Sequence, residues 1–297
     1  MCDEHTEQEN SAYLRAAGKV SRRRFTVLTA GAAVALAVPA SASAPVGRAS
    51  AVIESDVQVA TPDGTADCYF VHPASGRHPG IIVWPDILGL RPAFRLMGKR
   101  LAESGYAVLV INPYYRQGRA PVVAEGASFQ DPAVREQVMP LAMSLSADTN
   151  VTDAKAFVAF LDQQAAVDST RKLGTTGYCM GGPMVMRTAA TLPERIGAGA
   201  SFHGSRLVMD GPDSPHLLVP QMRAGFLFAI AENDDEREPE AKSVLRRAYD
   251  EAGLPAEIEV YQGAMHGWCV LDSAVYHQAQ AERAWARMLA LFERALV

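Results

Sequence analysis

The sequence predicts an α/β fold, a mostly parallel central sheet with helices on both faces. Two observations carry this. Short unbroken apolar runs such as Gly80–Trp84 and Tyr106–Ile111 are bounded by proline, serine, glycine or asparagine, which marks strands buried on both faces. Longer segments with apolar residues at helical spacing lie between such runs, and this alternation continues over most of the chain.

At the N-terminus, residues 1–20 are polar and mixed in charge. Ser21-Arg22-Arg23-Arg24-Phe25 then leads into an Ala-rich apolar run from Val27 to Val38 and a small-residue stretch ending at Ala44. Paired arginines, a modest apolar core and a small-residue cleavage site, in that order, resemble a twin-arginine export signal. Residues 1–44 are therefore expected to be a cleaved leader and residues 45–297 a single domain. The expected partner is the twin-arginine export machinery, and the expected location is the periplasm or the medium. The apolar run is shorter than the roughly 20 residues a spanning helix needs, so no stable membrane anchor is expected.

The elements of the domain follow in order. Asp56–Ala60 and Ala66–Val71 read as a hairpin around Pro62-Asp63-Gly64. Gly80–Trp84 is the first buried strand, Arg91–Ser104 a helix closed by Gly105, and Tyr106–Ile111 the next strand. Residues 117–148 carry Pro121, Gly126 and Pro132 and read as loops and short helices. Val151–Gln164 and Gly182–Leu192 have helical spacing around the short strand Leu173–Gly177. Ile196–Phe202, Gly225–Ala231 and Glu257–Tyr261 are further strands, and Lys242–Ala252 and Gln278–Leu296 are amphipathic helices.

Composition narrows the function. A net charge of −5 without a basic patch argues against a nucleic-acid partner. The four cysteines, Cys2, Cys68, Cys179 and Cys269, have no paired CxxC spacing, which argues against a zinc site. Whether Cys68 and Cys269 are free or oxidised is left open.

The stretch Gly177-Tyr178-Cys179-Met180-Gly181-Gly182 carries the chemistry. It runs from strand through sharp turn to helix, with glycines around Cys179 at the G-x-S-x-G spacing. Such a turn strains the nucleophile's backbone, and glycine neighbours avoid clashes. The helix N-terminus then favours a thiolate and a developing oxyanion, with the Met180 amide as first donor. Downstream, the strand ending at Ala231 runs into Glu232-Asn233-Asp234-Asp235, where Asp234 is the expected acid, ahead of Asp235 and Glu232. Met265-His266-Gly267-Trp268 follows a further strand. The chain order nucleophile, acid, histidine points to the α/β-hydrolase fold, with His266 as base and Asp234 holding its tautomer.

Together these motifs resemble the dienelactone hydrolase family, over most of residues 56–297. The resemblance implies a cofactor-free, metal-free hydrolase that cleaves a small ester or lactone through an acyl-thioester. In Trp84-Pro85-Asp86-Ile87, it implies that Asp86 interacts with the resting thiol and that the Ile87 amide is the second oxyanion donor. Asp86 stands where the family more often has glutamate, one methylene longer. In Asn112-Pro113-Tyr114-Tyr115-Arg116, Arg116 falls at a substrate-carboxylate position. The family's second arginine, just after the histidine, is missing from Trp268-Cys269-Val270-Leu271, which counts against dienelactone itself as substrate. Tyr178, Trp268 and His203 are candidate substrate-binding residues, and a packed structural role suits His203 equally well. Two alternatives remain at this stage: acyl transfer or amide cleavage by the same triad, and a non-catalytic binding protein on a hydrolase scaffold. A monomer or homodimer is expected.

Overall fold

The computed structural model describes residues 4–16 and 51–297. In chain order the elements are α1 (Glu4–Ala16), β1 (Val52–Thr61), β2 (Gly64–Pro73), β3 (Gly80–Trp84), α2 (Pro92–Glu103), β4 (Ala107–Ile111), α3 (Pro132–Met143) and α4 (Ala147–Asp162). Then come β5 (Leu173–Tyr178), α5 (Gly181–Thr191), β6 (Ile196–Phe202), β7 (Gly225–Ala231), α6 (Glu232–Arg237), α7 (Ala241–Ala252), β8 (Ala256–Tyr261) and α8 (Gln278–Ala295).

The strands form one eight-stranded sheet in the order β1-β2-β4-β3-β5-β6-β7-β8. The β1–β2 hairpin and the β2–β4 pair are antiparallel, and every other pair is parallel. This is the mostly parallel α/β-hydrolase sheet that the alternating pattern implied.

All five residues of β3 and all five of β4 are buried, as continuous apolar strands require. Alternate side chains of the sheet feed two separate cores. One holds Trp84, Phe157, Phe226 and Phe228 under the helices α4, α5 and α7. The other holds Phe94, Tyr178, Phe202 and Phe292 under α2 and α8. Cys68 belongs to the first core and Cys269 to the second, so the sheet separates them, and both are free thiols.

Local chemistry sets several boundaries. Pro132 opens α3 while the Asp131 carboxylate accepts from the Ala133 amide. Ser146 and Thr149 form a capping box that starts α4 four residues before the expected Val151. Gly253 ends α7 in the left-handed conformation, φ 66°. The region read as loops and short helices thus contains a twelve-residue helix, α3. The acidic turn after β7 is likewise a short helix, α6, and residues Pro215–Gln221 form a 3₁₀ helix that the pattern did not announce.

The arginine pair, apolar run and cleavage site of the expected leader lie outside the described residues. Its first part does not: α1 is helical and docks on the domain, with Thr6 and Asn10 buried. No helix among the described residues is long and apolar enough to cross a membrane.

Candidate active site

The site assembles where the strands end at the C-terminal edge of the sheet. β3 delivers Asp86 and Ile87, β5 delivers Cys179, β6 delivers His203, β7 delivers Asp234 and β8 delivers His266. In a parallel sheet these ends share one edge, so residues far apart in sequence meet without special loops.

Cys179 has φ 52°, a left-handed conformation that a non-glycine residue adopts only under constraint. Its amide donates to the Phe202 carbonyl at 3.0 Å, and its carbonyl accepts from the Gly182 amide at 3.0 Å. The glycines around it are required by close approach. A Cβ on Gly177 would lie 2.3 Å from the Gly181 oxygen, and one on Gly181 would lie 2.4 Å from the Trp84 oxygen. The nucleophile turn is therefore wedged between α5 and the end of β3. Met180 precedes α5, so its amide belongs to the exposed N–H set of that helix start.

His266 is 4% exposed. Its Nδ1 lies 2.8 and 2.9 Å from the two carboxylate oxygens of Asp234, and its side chain hydrogen-bonds Cys179. Its backbone amide donates to Asn233 Oδ1 at 2.8 Å. Burial pulls the imidazole pKa down. The charges of Asp234 and Cys179, with their hydrogen bonds, outweigh burial and leave it raised above the ordinary histidine value. Nδ1 thus serves the carboxylate and Nε2 is the ring atom left for the thiol. Cysteine, histidine and buried acid are linked in the order that a thiol triad needs.

These groups open into a cavity of about 560 Å³. One wall is the 126–131 loop with Phe129, and another is formed by Val270 and Ser273–Val275. His203 also lines it, at φ 38°, with its ring 4.7 Å from that of His266 and neither ring nitrogen hydrogen-bonded. Donor atoms of Cys179, His203 and His266 lie within 4.8 Å of one another, the one grouping among the described residues spaced to hold a soft metal ion. The triad roles account for two of its three members.

A family model, "Dienelactone hydrolase family", matches residues 66–296. The chain belongs to the dienelactone hydrolase family. It is 28% identical over 283 residues to the Methylorubrum extorquens protein named "Putative carboxymethylenebutenolidase", covering 93% of each chain. It is 27% identical over 240 residues to "Carboxymethylenebutenolidase" of Rhodococcus opacus, covering 78% of this chain and 88% of that one. The crystal structure titled "Putative Dienelactone Hydrolase" from Klebsiella pneumoniae superposes with a TM-score of 0.70 at 23% identity, over 82% of this chain and 99% of that one. This dienelactone hydrolase family member is an enzyme, a hydrolase acting on a small-molecule lactone or ester. A non-catalytic scaffold is thereby set aside.

Three residues expected at the substrate sit elsewhere in this family member. Arg116 does not line the cavity. It donates to Asp153 at 2.7 and 2.9 Å and to Asp63 at 2.6 and 3.0 Å, and Asp153 is a buried carboxylate on α4. Its guanidinium neutralises a buried acid of the protein. Tyr178 precedes Cys179 on β5, and strand alternation sends it to the opposite face. There it stacks on Phe202 at 4.9 Å and meets Phe94 edge-on, and burial pushes its phenol pKa well up. Trp268 is fully buried against Tyr261, with ring centroids 4.7 Å apart.

Asp86 does line the cavity, but both its oxygens are taken by Arg91, at 2.7 and 3.0 Å, and Oδ1 also accepts from the Leu88 amide. Ile87 lines the cavity. Sequence reasoning assigned no role to Arg91, Asp272 or Tyr114. The Tyr114 hydroxyl, fully buried, lies 2.8 Å from the Ile87 carbonyl and 3.4 Å from Met180 Sδ, so one side chain touches both residues named as oxyanion donors. The only signal for it was its place just after the end of β4.

Proposed function

We propose that the enzyme hydrolyses a small ester or lactone by covalent catalysis at Cys179. The observation that carries this is the Cys179–His266–Asp234 chain at a strained strand–helix turn that opens into the cavity. His266 accepts the thiol proton. The sulfur then attacks the carbonyl carbon, and the carbonyl electron pair moves onto oxygen. The Ile87 and Met180 amides stabilise that oxyanion. As it collapses, the bond to the leaving oxygen breaks and His266 gives its proton to the alcohol. Water, deprotonated by His266, opens the thioester and restores the thiol. Asp234 holds the imidazole and balances its charge throughout.

Cys179→Ala tests this. Loss of ester turnover by about 10³-fold or more is expected on removing the nucleophile of such a unit. Iodoacetamide should inactivate the wild type in step with labelling at Cys179, with Cys68 and Cys269 spared because burial raises their thiol pKa. Full activity in Cys179→Ala would refute the covalent mechanism.

We also propose export by the twin-arginine route, supported by the order Arg22-Arg23, apolar run and Ala-Ser-Ala site. N-terminal sequencing of protein recovered from the periplasm or medium checks it, and a start at Met1 would sink it.

A further inference from the structure

Besides His266 and Cys179, whose charges pair with each other, the charged walls of the cavity are Asp86, Asp131, Asp272 and Arg91, three carboxylates against one guanidinium. Arg91 is 7% exposed. A guanidinium has five N–H donors. Here Nε donates to Asp272 at 2.8 Å, one terminal nitrogen donates to Asp86 at 2.7 Å and Gly89 O at 3.2 Å, and the other donates to Asp86 at 3.0 Å and Asp272 at 2.8 Å. All five are used by the protein's own acceptors. The arginine expected to meet a substrate carboxylate, Arg116, is committed to Asp63 and Asp153.

We infer that this enzyme selects esters and lactones that carry no anionic group, and that the Asp86–Arg91–Asp272 cluster sets this preference. The inference rests on the ester or lactone hydrolase reading above and names its substrate class. A carboxylate entering the cavity would shed water and find no guanidinium donor to replace it. It would also meet a wall with an excess of negative charge, and like charges brought together without compensation are strongly disfavoured. An uncharged acyl group meets Phe129, Val270 and Val275 at no such penalty. Arg91 here is a brace between the turn after β3 and the segment after His266. Burial would lower its pKa, but Asp86 and Asp272 together raise it, so it stays charged within the pair.

Two matched pairs of probes test this. The first is alkylation of Cys179, in which sulfur displaces iodide from neutral iodoacetamide or anionic iodoacetate. Each rate is divided by the same reagent's rate on the chain unfolded in urea, with the label located by mass spectrometry. Iodoacetamide should be favoured at least about tenfold, and Asp272→Asn, which removes one acid and loosens two Arg91 donors, should shrink that preference several-fold. Equal or faster normalised alkylation by iodoacetate in the wild type overturns the inference without recourse to any variant. The second pair is 4-nitrophenyl butyrate against mono-4-nitrophenyl succinate, with kcat/KM for the neutral ester higher by a similar factor. Faster turnover of the succinate overturns the charge inference and leaves the hydrolase reading intact. Failure to turn over either ester, with the alkylation preference present, counts against the hydrolase reading alone.

Discussion

Tyr114→Phe removes one oxygen from the protein and isolates what that oxygen does. The hydroxyl is fully buried and donates to the Ile87 carbonyl at 2.8 Å while lying 3.4 Å from Met180 Sδ. Losing a hydrogen bond to a buried carbonyl costs about 1–2 kcal/mol. For a domain of this size each kcal/mol is worth about 2–4 °C in Tm, so a fall of about 2–8 °C is expected. The effect on rate is separate. Outright removal of an oxyanion donor costs about 10²–10³ in kcat. Here both amides remain and only their placement loosens, so a loss of about tenfold in kcat is expected. The oxyanion exists only in and after the transition state, so KM should change little. Steady-state kinetics on 4-nitrophenyl butyrate and a thermal melt read the two effects independently. A lowered Tm with kcat unchanged would reduce Tyr114 to a packing residue and refute its part in holding the oxyanion donors.

Arg116→Ala leaves the buried Asp153 carboxylate without its guanidinium and should destabilise the protein by about 3 kcal/mol with KM unchanged; a large rise in KM at unaltered stability would return Arg116 to the substrate. His266 has a folded-state pKa raised to about 10, so its charge stabilises the protein fully below its unfolded pKa of about 6.5 and ceases to do so as pH rises through about 10. The Tm gap between wild type and His266→Gln should therefore be widest near pH ~6 and close toward pH ~10.5, and a gap that widens with pH would contradict the ion pair. Gly177→Ala puts a methyl 2.3 Å from the Gly181 oxygen and should abolish folded yield or activity, whereas a Cβ on Gly118 meets nothing within 4 Å, and Gly118→Ala should melt with the wild type.

What could be read from the sequence was what local pattern determines. The strands Gly80–Trp84, Ile196–Phe202 and Gly225–Ala231 have the expected bounds because continuous apolar runs leave no other burial-compatible choice. Cysteine, acid and histidine were legible because each follows a strand end, and the topology brings those ends to one edge. The helix α3 was not told apart within a region of loops and short helices because Pro132 reads as a breaker and only Val138 and Ala142 of its residues are buried. Proline at a helix start is tolerated, and the Asp131 cap makes it a start signal. Tyr178 and Trp268 were misplaced because adjacency to a catalytic residue in sequence is not adjacency in the cavity. Arg116 and Arg91 depended on partners far along the chain. Asp153 is 37 residues from Arg116, and Asp272 is 181 residues from Arg91. No periodicity or motif encodes such a pairing.

The N-terminal helix bears on the site in a way that neither motif nor fold class suggested. Glu9 accepts from Asn233 at 2.9 Å and from Arg237 at 2.7 Å, and Asn233 in turn accepts from the His266 amide. Asn10 donates to the His266 carbonyl at 3.0 Å and lines the cavity. Arg237 also lies 3.6 Å from Asp234. The helix α1 therefore holds both backbone ends of the His266 peptide units, one directly and one through Asn233, and draws a guanidinium partly away from Asp234. If the proposed leader is cleaved after Ala44, these contacts leave with it. Arg237 then keeps Asp234 as its neighbouring carboxylate, 3.6 Å away, and competes with His266 for it. The cavity also gains the volume that Asn10 occupied. The enzyme with its first residues in place and the enzyme without them then share one triad but differ in its support and in its entrance.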